Sequence, residues 1–251
     1  MLNLPGGRAL FFVLLCAHLL GDFVFQTDQM VRVKRRPATL ALHAAIHAAL
    51  VFVLVGAPRL WPLAFAVLVI HALIDWAKLR FGPLLSPARA FWWDQALHIV
   101  SLFVLAGMGS DAALTAGWTT GQDVGLMRAM IAVSGFIVCV RVAAIAIGFW
   151  VQPYLDQLVS PGAEAMPSGR DRGLPNGGRI IGQWERALIF LFVFAGLPSG
   201  IGFLVAAKSV FRFGELSDRQ NRMEAEYITI GTLMSFGVAI AVAYATQLLA
   251  L

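Results

Sequence analysis

The chain has 251 residues, of which 59% are hydrophobic and only 13% charged, and its mean hydropathy is +0.77. Soluble domains carry about 25% charged and roughly 45–50% apolar residues, so this composition excludes a water-soluble fold, which has no means of hiding so much apolar surface. The net charge of +5 comes from Lys and Arg in short clusters between apolar runs, the pattern of membrane topology signals, and no nucleic-acid partner is expected.

In chain order, apolar segments fall near 8–27, 39–57, 61–80, 91–108, 127–150, 180–197, 200–213 and 226–249. At 1.5 Å per residue most are long enough to cross about 30 Å of hydrocarbon. The seventh is short, and with Pro198-Ser199-Gly200 ahead of it, it reads as a short span or a re-entrant piece. The first carries Cys16 after Leu15, a residue too large for a typical lipidation site. No small-residue cleavage pattern follows, so it is read as a retained helix. Cys16 and Cys139 are the only cysteines and supply neither a disulfide framework nor a thiolate metal motif.

If all eight segments cross, one side receives Arg32, Lys34, Arg35, Arg36, Lys78, Arg80, Arg89, Arg170, Arg172, Arg179, Lys208, Arg212, Arg219 and Arg222. The other side receives Arg8, Arg59 and Arg128. The positive-inside rule makes the first side cytoplasmic and turns both termini outward. The expected fold class is all-α, a polytopic integral membrane helix bundle of about seven to eight transmembrane helices. Its organisation is one continuous membrane domain: residues 1–151 hold four histidine-bearing helices and a fifth helix, 152–178 form a cytoplasmic loop, and 179–251 hold the C-terminal helices.

All five histidines lie in the first 98 residues, and each has a His or Asp four positions away: His18 with Asp22, His43 with His47, His71 with Asp75, and Asp94 with His98. Residues at i and i+4 share a helix face, so each of four successive helices presents one chelating pair. Counted at 1.5 Å per residue, all eight side chains fall about 5–14 Å from the cytoplasmic ends of their helices. A lone histidine of this kind is most often a core residue with a neighbour to bond. Four pairs at one depth point instead to metal ligation, with a metal-free proton relay as the alternative, because intramembrane ionisable groups are costly. Five imidazoles and three carboxylates exceed the four ligands of one tetrahedral ion. They suit two divalent ions, with zinc expected first and manganese or iron as alternatives. Asp22, Asp75 and Asp94 are also the candidate catalytic groups, one of them as general base, and Lys78 is placed to neutralise a substrate phosphate or to snorkel from its helix end. Gln26 and Gln95 flank the same layer.

In the later segments Glu185, Arg186, Lys208, Arg212 and Glu226 sit close to the same face. They are read either as ion pairs that fix helix packing or as an anion pocket for a lipid or nucleotide phosphate. Arg141 is a single intramembrane charge without an evident partner.

The run "AHLLGDFVFQ", the His43/His47 pair, "HALIDWAK" and "DQALH" resemble the bacterial multi-pass membrane family catalogued as domain-of-unknown-function 3307. "GRIIGQWERALI", "AAKSVFRF" and "AEYITIGTLMSF" are similar to its longer members. That resemblance implies a bacterial inner-membrane protein and transfers no established activity. A looser likeness, at pattern level, is to bacterial inner-membrane proteins labelled metal-dependent hydrolases. The expected function is therefore a membrane-embedded, metal-dependent hydrolase acting on a phospholipid or lipid-linked phosphate, its partner being membrane lipid. A metal-ion or proton transporter, a di-iron membrane oxygenase and a structural metal protein are the alternatives. The sequence leaves the oligomeric state open.

Overall fold

A computed structural model of the chain describes residues 6–109, 124–159, 176–216 and 222–250, and among them there is no strand. The protein is an all-α, multi-pass integral membrane protein. Helix α1 is Gly6–Leu20, the short α2 is Asp28–Val33, and α3 is Pro37–Val55. Then follow α4 at Trp61–Phe81, α5 at Pro87–Met108, α6 at Val124–Ile137 and α7 at Ala143–Val159. The last three are α8 at Gly177–Phe194, α9 at Ser199–Leu216 and α10 at Arg222–Ala250.

Local sequence sets the helix ends. Proline opens α3 and α5 at a position whose N–H needs no partner. Ser86 caps α5 by accepting from the Arg89 amide, and Thr27 caps α2 by accepting from Met30. Gly56 ends α3 in the left-handed region at φ 63°, where a side chain would be strained.

Among the described residues six helical stretches are long and apolar enough to cross a membrane: Gly7–Phe25, Pro37–Val55, Pro58–Leu84, Pro87–Met108, Val124–Asp156 and Glu226–Ala250. The expectation of seven to eight is thus approximate, and the physical reasons are specific. The sixth expected segment, now α8, carries Arg179, Glu185 and Arg186 within one helix. The seventh contains a shorter apolar helix, Ser199–Val210. Large apolar side chains line the outside, among them Trp61, Trp93, Leu84, Phe103 and Met108, as expected where lipid is the solvent.

Contacts divide the chain into Met1–Ile137 with Leu249–Leu251, and Val138–Leu248. The division falls inside the fifth span and not at the 152–178 connection, because α6 packs on α1 while the following turn binds α8. That connection also begins later than expected. Helix α7 runs on through Pro153 to Val159, with Gln152 donating to Asp156 one turn on. Residues 160–175, including Arg170 and Arg172, lie outside the described residues.

The first unit has an apolar core of Leu10, Val13, Leu14, Val51, Val55, Val67, Leu102 and Leu105. On α1 these precede His18, on α3 they follow His47, on α4 Val67 precedes His71, and on α5 they follow His98. The core and the ionisable layer are therefore stacked along the helices. The second unit packs Cys139, Ile189, Phe190, Val193, Phe236, Ala239 and Ala243.

Candidate metal centre

Helix α1 does not end as an α-helix. Its last turn, Gly21–Phe25, is π-helical, closed by the Gln26 amide donating to the Gly21 carbonyl at 3.0 Å. Such one-turn widenings recur at functional sites, and this one carries Asp22. Gly21 is required there. A Cβ at this position would overlap the ring of His47, so only glycine lets the imidazole lie against the backbone of α1.

Asp22 is the hub. Its Oδ1 lies 3.1 Å from His43 Nε2, 3.2 Å from His47 Nε2 and 3.7 Å from His71 Nε2. Its Oδ2 accepts from the Gln95 amide at 3.3 Å and lies 3.8 Å from His18 Nε2. Asp75 Oδ2 is 3.5 Å from His71 Nε2 and 3.6 Å from His43 Nε2. Asp94 Oδ1 is 3.6 Å from His98 Nδ1. The rings pack as one knot, with centroid separations of 3.6 Å for His47–His71, 4.4 Å for His71–His98 and 4.9 Å for His18–His98. All four i, i+4 pairs are brought into this one layer. The five imidazoles, Asp75 and Asp94 are buried.

Among the described residues three overlapping sets have ligand atoms within 4.8 Å of one another: His18, Asp22, His47 and His71; His43, His71 and Asp75; and Asp22, Asp94 and His98. Asp22 and His71 each belong to two of them. These are the groups that could hold metal.

Hydrogen bonding within the layer is incomplete. Among the described residues, the buried side-chain nitrogens and oxygens without a hydrogen bond are His18 Nδ1, His43 Nδ1, His47 Nε2, His71 Nε2, Asp75 Oδ2, Asp94 Oδ1 and His98 Nε2. Every one is in this site. Several stand within ion-pair distance of a carboxylate yet lack the angle of a bond, as groups do when aimed at a shared point and not at each other. His98 shows the pattern best. Its Nδ1–H donates to the Asp94 carbonyl at 2.9 Å, which leaves the lone pair on the unbonded Nε2, the arrangement that orients a ligating imidazole. His18 Nε2 donates to Gln95 Oε1 at 3.3 Å, and the Gln26 amide donates to His43 Nε2 at 3.0 Å.

Two lysines close the outer side. Lys78 donates to Asp94 Oδ2 at 2.7 Å, and Lys34 donates to Asp75 Oδ1 at 2.8 Å. Lys78 was expected near the layer. Lys34 was hidden among Arg32, Arg35 and Arg36 as one more topology charge, and nothing in its spacing marks it. The π-turn at Gly21 was likewise invisible, although the Gly-Asp step directly after an apolar helix is the signal that was there to use.

In the second unit the expected charges meet protein groups. Arg186 is buried and donates to the Cys139 carbonyl at 2.9 Å, the Val140 carbonyl at 3.0 Å and Ser235 Oγ at 3.0 Å. Both carbonyls belong to a second π-helical turn, Val138–Val142. Lys208 donates to Glu185 Oε2 at 2.6 Å and lies 5.2 Å from the Phe236 ring centre. Arg141 is exposed on the π-turn, and Glu226 is exposed on α10. The side chain of Arg212 lies outside the described residues.

Residues 10–121 match the family model described as "Protein of unknown function (DUF3307)". This region belongs to that family. The DUF3307 region contains every member of the four His/Asp pairs together with Lys34 and Lys78, and stops before the second unit's charges. No curated protein matches the chain, and no solved structure does.

Proposed function

We propose that the protein is a membrane-embedded, metal-dependent hydrolase that acts on a phospholipid or lipid-linked phosphate at the cytoplasmic leaflet of a bacterial inner membrane. One observation carries the reading: every buried side-chain nitrogen and oxygen without a hydrogen bond, among the described residues, sits in a single His/Asp layer. Asp75 Oδ2 keeps an ion-pair contact with Lys34, and each group left with no partner costs about 1–3 kcal/mol, a cost that a bound cation would remove. The nitrogen and oxygen donors, with no thiolate, fit zinc first and also admit manganese or iron. Asp22, common to two of the sets, has two oxygens with which to serve two ions, whereas the single free lone pair of His71 can serve only one of its two sets. Such ions would activate a water and stabilise charge on the attacking and leaving oxygens.

The chain's own groups then have separable tasks. Asp22, shared by two ligand sets, would hold metal with the histidines, His98 is oriented by the Asp94 carbonyl, and one aspartate not engaged by metal would serve as the base. Lys34 and Lys78 neutralise phosphate at the rim. Both termini face outward, an orientation that six or eight crossings give equally. His18, His47, His71 and His98 lie near the middles of the spans Gly7–Phe25, Pro37–Val55, Pro58–Leu84 and Pro87–Met108, a depth that a metal-ion transporter would share, since transporter sites usually lie at the midplane.

A second reading has one observation of its own. A small cavity beside His18, His47, His71 and His98 is walled by Leu14, Val51, Val67, Leu102 and Leu105, an apolar chamber that would suit dioxygen in a di-iron enzyme.

Elemental analysis of the purified protein tests both. The expected result is stoichiometric zinc, lost in His47→Ala together with phosphate release from phosphatidic acid in mixed micelles. Iron with its visible absorption would favour the oxygenase. A metal-free protein with full hydrolytic activity would sink the metal reading.

A further inference from the structure

Lys34 and Lys78 are arranged in a way that phosphate binding alone does not explain. Each donates to one oxygen of a buried carboxylate and leaves the other without a hydrogen bond. Lys78 holds Asp94 Oδ2 while Oδ1 is bare, whereas the Lys34 ammonium lies 2.8 Å from both oxygens of Asp75, hydrogen-bonded to Oδ1 and in ion-pair contact with Oδ2. Asp75 Oδ2 also faces His43 and His71, and Asp94 Oδ1 faces His98. Asp75 and Asp94 belong to two different ligand sets, whereas the set of His18, Asp22, His47 and His71 contains no lysine-bonded carboxylate. The carboxylates are only 3% and 2% exposed, and the lysines 12% and 36%. The ammonium groups thus reach in from the wetter side.

A desolvated carboxylate requires a countercharge. Here a lysine supplies it, and a divalent ion at Asp75 Oδ2 or Asp94 Oδ1 would stand close to that ammonium and be repelled by it. An anion at the rim offers the lysine another partner. We infer that Lys34 and Lys78 are exchangeable counter-ions that couple metal occupancy to a phosphate group. Without the anion they hold Asp75 and Asp94 and weaken cation binding at those two sets. A phosphate group at the rim draws the ammonium groups away, and the sets then bind a cation tightly. By linkage the cation strengthens phosphate binding by the same factor. The set without lysine is the permanent site, and the others fill with substrate. This inference rests on the metal layer of the hydrolase reading and adds its regulation. Its ligand chemistry is a phosphate group, either a lipid headgroup or a free anion.

Equilibrium dialysis of the detergent-solubilised full chain against buffered free zinc, with bound zinc counted per chain, tests it. In Lys34→Met/Lys78→Met the weaker zinc sites should tighten about tenfold, a change of about 1.4 kcal/mol. Inorganic phosphate or phosphatidic acid in mixed micelles should tighten them in the wild type and leave the double variant unchanged. A response to phosphatidic acid alone assigns the phosphate to a lipid headgroup, and a response to inorganic phosphate shows that the free anion suffices. Lys34→Arg/Lys78→Arg should keep both the weak sites and the phosphate response. Identical zinc isotherms in all proteins, with and without phosphate, would overturn the inference while leaving the metal layer standing. No zinc in any protein would remove both. If the methionine pair fails to fold, the phosphate dependence of the wild type decides alone.

Discussion

The first unit places five imidazoles and three carboxylates in one layer and leaves seven of their atoms without hydrogen bonds. The second unit buries Arg186 and Glu185 as well, yet there the donors are matched. Three guanidinium nitrogens meet two carbonyls and a hydroxyl, and Lys208 meets Glu185. Both units also contain a π-helical turn, used differently. At Gly21–Phe25 the turn presents Asp22 to the histidines, whereas at Val138–Val142 it presents carbonyls that Arg186 consumes. Burial of charge therefore does not separate a ligand site from a packing device. The two units differ in completeness of partnering, and a packed interior tolerates few bare polar atoms unless something else is to meet them.

The largest way to probe this contrast is Arg186→Met. It leaves the Cys139 and Val140 carbonyls and Ser235 without their donor, at about 1–3 kcal/mol for each group that finds no other. A loss of about 4 kcal/mol in stability is expected from thermal or denaturant unfolding in detergent, with metal content per folded chain unchanged. Loss of metal at unaltered stability would show that Arg186 serves the site and not the packing. Gly21→Ala makes the complementary cut. The added methyl group must displace the His47 ring, so zinc affinity should fall about tenfold to a hundredfold, as when a ligand's orientation is lost. The overpacking itself should cost about 1–3 kcal/mol. Titration with a competing chelator reads the first effect. An alanine protein that binds zinc like the wild type would mean that His47 is not a ligand.

How far these features could be read from the sequence follows from what each depends on. The spans and the four His/Asp pairs depend on periodicity and run length, which the sequence displays directly, and the structure brings the side chains of those pairs together. The match of Lys34 to Asp75 depends on how the chain turns between α2 and α3, and no local pattern encodes that turn. The role of Gly21 depends on the approach of His47 from α3, which nothing in α1 itself reveals. Near α8 the sequence showed charges where a spanning helix should have none. It could not show that a π-turn 47 residues earlier supplies the acceptors for Arg186.

The smallest expected effect concerns Lys208 and Glu185, and it is the finest test of the contrast. The two are partly buried and bonded at 2.6 Å, and Lys208 also lies over Phe236. If the pair only packs, a double-mutant cycle of Lys208→Met and Glu185→Gln should give a coupling energy of about 1 kcal/mol in stability, between the exposed and the buried extremes. Removing both should cost less than the two single costs added, because neither group is then left alone. Zinc content and phosphate binding should not move in any of the three proteins. If instead the second unit presents an anion pocket, Lys208→Met should weaken phosphate binding with the fold intact, while Glu185→Gln should strengthen it by freeing the ammonium. The opposite signs of those two single changes separate a packing pair from a binding pair even when both leave stability nearly the same.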